Sequence, residues 1–149
     1  MRIALYQPEI AGNVGAILRL SACFGVPVDI IEPCGFAFSD KRLARAGMDY
    51  AAEAEIARHA DWDAFESGRT GRLALMTTRG SVSLYDTSFR PDDIILLGSE
   101  GAGVPEHVHE RADLRIRIPL RVGFRSLNVG MSAGIALAEA LRQTKGLPE

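Results

Sequence analysis

Short, nearly continuous apolar runs recur along this chain, each followed by a segment of helical spacing or a turn signal. Arg2–Tyr6 (RIALY), Val28–Ile31 (VDII), Arg72–Thr78 (RLALMTT), Asp93–Gly98 (DIILLG) and Leu114–Leu120 (LRIRIPL) read as strands, and AEIARH as a weaker one. A strand that is apolar at successive positions points greasy side chains to both faces of its sheet, so both faces must be covered. The intervening segments supply the cover. NVGAILRLSACF reads as a helix with Asn13 as its N-cap; Val14, Ile17, Leu18 and Ser21 share one face and Arg19 lies roughly opposite. Ser39 is placed to cap a short basic helix, DKRLARAG, and Asp61 to cap WDAFES. Pro105 opens PEHVHERA, and LNVGMSAGIALAEALRQ is the last and longest helix. The expected fold class is α/β, a mainly parallel sheet with helices on both faces. At 149 residues the chain suits one domain, residues 1–149.

The last helix carries Gly130 and Gly134 in its interior, where each glycine costs about 1 kcal/mol relative to alanine. Two compensations are open: close packing on the sheet, or close approach of a second subunit or a ligand.

Composition excludes several classes. Hydrophobic residues make up 47% and charged residues 24%, a globular balance. The opening MRIALYQPEI is too interrupted for a signal peptide, and no run has the length of a membrane span. Cys23 and Cys34 lack metal-site or disulfide-framework spacing, so a cytoplasmic location is expected. The net charge of −2 argues against a non-specific nucleic-acid coat. Its distribution is uneven: Arg111, Arg115, Arg117, Arg121 and Arg125 stand against Asp113 alone, making 111–125 +4 and the remainder −6. Lys41, Arg42 and Arg45 form a second basic cluster. Such local charge suits a phosphate backbone or a solvated, salt-bridged surface.

Three strand ends carry unusual loops: TTRG (Thr77–Gly80), GSEGAG (Gly98–Gly103) and PLRVGFRSLNVG (Pro119–Gly130). In open α/β sheets ligands bind beyond the carboxyl ends of strands, so neighbouring strands here would bring these loops to one pocket. Gly98 would let a ligand lie against the backbone, and Ser126 and Asn128 would offer polar contacts. The glycine patterns of dinucleotide and nucleoside-triphosphate sites are absent, as is a G-x-S-x-G elbow. His107 and His109 form only an isolated H-x-H.

Taken together, NVGAILR, LLGSEGAGVP and IPLRVGFRSLNVGMSAGIAL resemble, in this order, the three signature motifs of the SPOUT RNA methyltransferases. LYQPEIAGNVG, IIEPCGFAFSDKRLARAGMDY and LALMTTRG extend the resemblance to the small single-domain members that methylate a ribose 2′-hydroxyl at the tRNA wobble position. The resemblance implies a deep C-terminal trefoil knot, which periodicity cannot show. It implies S-adenosyl-L-methionine as cofactor and a homodimer with the active site near the subunit interface. Carried over, the cofactor contacts are Met76, Gly98, Ile118 and Ser126, several through the backbone, with Glu100 helping to set the glycine loop.

The implied reaction is methylation of the wobble ribose in the tRNA anticodon loop, on cytidine or a modified uridine, and it needs no metal and no membrane. Arg19 matches the family arginine proposed to assist loss of the hydroxyl proton. A guanidinium stays protonated in proteins, so electrostatic positioning is its physically safer role. Asn128 would order the knot loop or contact substrate. Lys41, Arg42, Arg45, Arg121 and Arg125 are candidate contacts to tRNA phosphates. The alternatives are another tRNA or ribosomal RNA site, or a non-catalytic RNA-binding dimer. One departure stands out. The family's small members carry a tyrosine in a Y-E-A-x-R-Q pattern in the last helix; LAEALRQ puts Ala138 in its place, so no role of that tyrosine carries over.

Overall fold

The computed structural model describes residues 1–37, 39, 41, 50 and 52–149. The expected basic helix DKRLARAG, with Arg42 and Arg45, falls largely outside the described residues. The strands are β1 (Arg2–Tyr6), β2 (Val28–Ile31), β3 (Ile56–His59), β4 (Leu73–Met76), β5 (Val82–Ser83), β6 (Ile94–Leu97) and β7 (Leu114–Arg117). They form one 7-stranded sheet in the order β3-β2-β1-β6-β4-β7-β5. Every described pairing is parallel. The described helices are α1 (Ala11–Phe24), α2 (Trp62–Gly68), α3 (Glu106–Arg111) and α4 (Val129–Thr144).

The two-residue period of the strands divides the core. Ile3, Leu5, Val28, Ile30, Ile95 and Leu97 point to the face covered by α1 and α4. Ala4, Tyr6, Ile31, Leu73, Leu75, Ile94 and Leu96 point to the face covered by α2 and α3, through Trp62, Phe65 and Val108. This is why the strands read as unbroken apolar runs: neither face is wet. Each fully buried leucine or isoleucine contributes about 1.5–3 kcal/mol, and truncation of one such as Leu96 to alanine would cost about 2–5 kcal/mol.

The exception inside the sheet is Asp29, which is buried on β2. Its carboxylate accepts from Arg2 at 2.7 and 3.1 Å and meets His59 Nε2 at 2.8 Å, so the buried charge is compensated by its strand neighbours.

Local signals hold at several ends. Asp61 caps α2 by accepting from the Ala64 N–H at 2.8 Å, and Pro105 occupies the N-cap position of α3. One expectation is corrected. Asn13 does not cap α1; the helix begins at Ala11 with Ile10 at the N-cap position and no side-chain cap of its own. β5 was not legible in sequence, because two residues show no period. It is followed by a single 3-10 turn, Leu84–Asp86, which buries Leu84.

The two glycines of α4 have different surroundings. A Cβ on Gly130 would lie 3.1 Å from Asn128 Oδ1 and 3.6 Å, an ordinary contact distance, from the Ala16 Cβ of α1, so the packing of α4 on α1 does not itself require glycine there. A Cβ on Gly134 would meet nothing within 4 Å.

Candidate active site

β6, β4 and β7 are adjacent and parallel, so the loops that follow them leave the sheet on one side. A cavity of about 750 Å³ opens there, lined by Met76–Arg79, Gly98–Val104, Ile116–Leu120 and Phe124–Leu127. The structure thus brings together Met76, Gly98, Ile118 and Ser126, and also Arg125.

The glycine loop is closed on itself. Ser99 N–H donates to the Gly103 carbonyl at 3.0 Å, and Gly103 N–H donates back to Ser99 at 2.9 Å. Gly103 has φ +66°, the left-handed region that glycine favours. A Cβ on Gly98 would stand 2.6 Å from the Gly103 carbonyl carbon. Glycine at 98 is therefore required by the loop's own crossing, a tighter demand than the ligand approach expected from sequence.

Glu100 leaves this loop and reaches the start of α1. Its Oε2 accepts from the Glu9 N–H at 2.8 Å, and its Oε1 accepts from the Ile10 N–H at 3.3 Å and from Asn13 Nδ2 at 3.2 Å. A carboxylate at a helix N-terminus meets free N–H groups and the positive end of the helix dipole. The missing cap of α1 is thus supplied from 91 residues away.

Asn128 does the same for α4 locally: its Oδ1 accepts from Gly130 N–H at 2.8 Å and Met131 N–H at 3.3 Å. Its Nδ2 donates to Asn13 Oδ1 at 3.0 Å. Asn13 is the residue that sequence reasoning undervalued. It joins the glycine loop to the start of α4, through contacts to Glu100 and Asn128 that are too remote in sequence to be read locally.

Arg19 is exposed on α1 and is absent from the cavity lining of its own chain. Its guanidinium carbon lies 4.6 Å from the centroid of the Tyr50 ring. Asn128 likewise does not line the cavity, although its neighbours Leu127 and Val129 do.

The basic stretch 111–125 separates into two groups. Arg111 is paired with Glu66 at 2.7 Å. Arg115 donates to the His109 and Glu110 carbonyls at 2.9 and 3.0 Å. Arg117 donates to the carbonyls of Gly80 and Ser81 at 3.3 and 3.1 Å. Arg121 and Arg125 are exposed, and neither has an ion pair among the described residues. Lys41 is exposed as well. Glu66 also receives two 2.8 Å bonds from Arg69, and these, with Arg111, hold its carboxyl below the usual carboxylate range.

The end of α4 shows what the E-A-x-R-Q residues do. Arg142 Nε donates to Glu139 at 2.9 Å. Gln143 donates to Glu139 at 2.8 Å and to the Thr87 carbonyl at 2.9 Å, and accepts from the Phe89 N–H at 2.9 Å. These residues tie the helix end to the loop before β6, whereas Ala138 is exposed.

The cavity mixes apolar walls from Leu97, Ile116 and Ile118 with the hydroxyls of Thr77, Ser99 and Ser126 and with loop backbone groups. Its volume lies within the about 300–1,000 Å³ of small-molecule sites. Both properties fit S-adenosylmethionine, with Met76, Gly98, Ile118 and Ser126 as the residues that would hold it. Among the described residues no cluster of three or more His, Cys, Asp or Glu side chains could hold a metal ion. No described helix is long and apolar enough to cross a membrane.

Comparison with known proteins places the chain in a family. The profile of the SpoU rRNA Methylase family matches residues 1–138. A tRNA (cytidine(34)-2′-O)-methyltransferase of Beijerinckia indica subsp. indica is 52% identical over 150 residues, covering 97% of this chain and 92% of that protein. A solved structure concerned with the 2-OH methylation of C/U34 on tRNA superposes with a TM-score of 0.91 at 39% identity, covering 97% of this chain and 96% of that one. An AdoMet-bound rRNA methyltransferase from Sinorhizobium meliloti superposes at 0.84 with 27% identity, covering 95% of this chain and 55% of that one.

Proposed function

The chain belongs to the SpoU rRNA Methylase family, and from that premise we propose that it methylates the ribose 2′-hydroxyl of the wobble nucleotide, cytidine or modified uridine, in the anticodon loop of tRNA. The cofactor is S-adenosyl-L-methionine. One observation carries the reading: the loops after β4, β6 and β7 converge on a single cavity, and the residues they bring there are those of the methyltransferase motifs. Relatives named for the same reaction at position 34 match over nearly the whole chain.

S-adenosylmethionine, when bound, supplies a methyl group on a sulfonium. The chain's own residues must hold the acceptor hydroxyl in line with that methyl and stabilise the negative charge that grows on the 2′-oxygen. Arg19 is the group we assign to that charge, as a protonated guanidinium and not as a base. Asn128 acts by ordering the start of α4 beside the cavity. Arg121, Arg125 and Lys41, with Arg42 and Arg45, are assigned to tRNA phosphates.

The reading includes a single methyltransferase domain over 1–149, a knotted C-terminal segment, a cytoplasmic location and a homodimer. Two features support the dimer. Arg19 does not line the cavity of its own chain, and a second copy would offer it another cavity to serve. Leu120, Val122, Phe124, Leu127 and Met131 also leave an exposed apolar strip along the knot-loop segment and the start of α4, as a protein–protein contact would use.

The test is methyl incorporation from labelled S-adenosylmethionine into tRNA that lacks its wobble ribose methylation, with the product nucleotide mapped. Label on the wobble 2′-oxygen is expected. Label at another tRNA or ribosomal RNA position would move the substrate and keep the enzyme class; no label despite cofactor binding would favour a non-catalytic RNA-binding dimer.

A further inference from the structure

Arg19 has an aromatic neighbour that the reaction as described does not use. The 4.6 Å separation of its guanidinium carbon from the Tyr50 ring centroid lies inside the about 6 Å reach of a cation–π contact. Among the described residues no carboxylate pairs with Arg19. The ring is therefore its one described side-chain partner.

Tyr50 is itself anchored. Its carbonyl accepts from the Glu53 N–H at 3.0 Å and from the Ala54 N–H at 3.2 Å. Ala54 packs against the core cluster to which Val14, Ile17 and Leu18 of α1 also belong, and the chain then enters β3 at Ile56. Ring and guanidinium are thus carried by two segments fixed to one core.

We propose that Tyr50 is a positioning residue for Arg19. The proposal rests on the role given to Arg19 above. A free arginine on a helix surface samples many rotamers, and each must be lost when it meets the developing alkoxide. The ring face removes part of that loss beforehand. It also attracts the charged guanidinium, which suits electrostatic stabilisation over proton abstraction. The contact uses the face of the ring and not the hydroxyl, so phenylalanine should replace tyrosine and leucine should not.

The experiment is a double-mutant cycle on the full-length protein, measuring methyl transfer to tRNA with Tm and cofactor affinity in parallel. Tyr50→Leu is expected to lower kcat about ten-fold, with KM for tRNA, cofactor affinity and Tm unchanged. Tyr50→Phe should retain wild-type turnover. In an Arg19→Ala background, Tyr50→Leu should cause no further loss, because its effect passes through Arg19. A loss that persists undiminished in that background, or that appears in the tRNA KM, would mean that the ring meets the RNA itself and would overturn the proposal; so would normal turnover in Tyr50→Leu.

Normal turnover in Arg19→Ala would remove Arg19 from the reaction and take the proposal with it. A separate NMR readout needs no turnover: the Arg19 side-chain protons should show a ring-current shift that Tyr50→Leu abolishes. Absence of that shift in the wild type would overturn the contact without touching the methyltransferase reading.

Discussion

Asn13 and Asn128, 115 residues apart in sequence, meet amide to amide at 3.0 Å. Through Glu100 on one side and the first turn of α4 on the other, this contact joins the three loop-and-helix motifs into one polar frame beside the cavity. Asn13→Ala removes a donor to Glu100 and an acceptor from Asn128, and should lower stability by about 1–3 kcal/mol. Asn13→Asp should be worse at neutral pH despite its nearly identical shape, because it sets a second carboxylate against Glu100. Urea denaturation of both variants checks the order; a stable Asn13→Asp would show that the amide's donor is dispensable.

Arg19→Ala should leave cofactor affinity unchanged and lower turnover by about 10²–10³-fold, the range for losing one charge-stabilising donor. A cofactor titration beside a single-turnover methylation assay separates the two effects. Near-normal turnover would take Arg19 out of the reaction.

Gly98→Ala tests the loop crossing. The added Cβ would stand 2.6 Å from the Gly103 carbonyl carbon, and both atoms belong to main chain that cannot swing aside. The loop must open, so cofactor affinity should fall at least about ten-fold, with a stability loss of about 1–3 kcal/mol. Wild-type affinity in this variant would mean that the loop does not bound the cofactor site.

Arg121→Ala and Arg125→Ala should each weaken tRNA binding and reduce the slope of log affinity against log salt by about 1, as expected for a phosphate contact. Arg115→Ala serves as the contrast. Its guanidinium is spent on the His109 and Glu110 carbonyls, so it should lower Tm and leave the salt slope alone. An unchanged slope in the first two variants would move the RNA elsewhere on the surface.

Glu66 gives a pH dependence of defined sign. Its carboxyl is held below the usual range, first by Arg69 and then by Arg111. In the unfolded chain it titrates near the ordinary value of about 4.3. Between its folded and unfolded values the unfolded chain binds more protons, so stability rises with pH across that window. The contribution is fully present above about pH 5 and is lost as pH falls through the folded value. Glu66→Gln should flatten this acid limb in denaturation curves taken from about pH 3 to 7. An acid limb unchanged in the variant would place the acid sensitivity on other carboxylates.

The apolar strands and the Asp61 cap could be read locally because each depends on neighbours in sequence: a run buried on both faces, an acid three residues before the N–H it caps. Parallel strands put the three loops on one edge of the sheet, but that β6, β4 and β7 are neighbours, which brings the loops to one cavity, is known only from the sheet order. The N-terminus of α1 could not be read this way. Its local candidate cap, Asn13, is diverted to Asn128, and its true cap is a carboxylate from the loop after β6.

What the amino-acid order determined by itself was the α/β class and the two-faced core, both properties of short-range spacing, while the motif residues were named through the family resemblance. Tertiary structure alone decided which groups those residues meet. It gave Glu100 to α1, spent Arg111, Arg115 and Arg117 on structure while leaving Arg121 and Arg125 exposed, and set Arg19 against Tyr50 outside its own chain's cavity. A hydrogen bond or cation–π contact has a reach of a few ångströms in space, and only the packed sheet order sets which distant residues come within it.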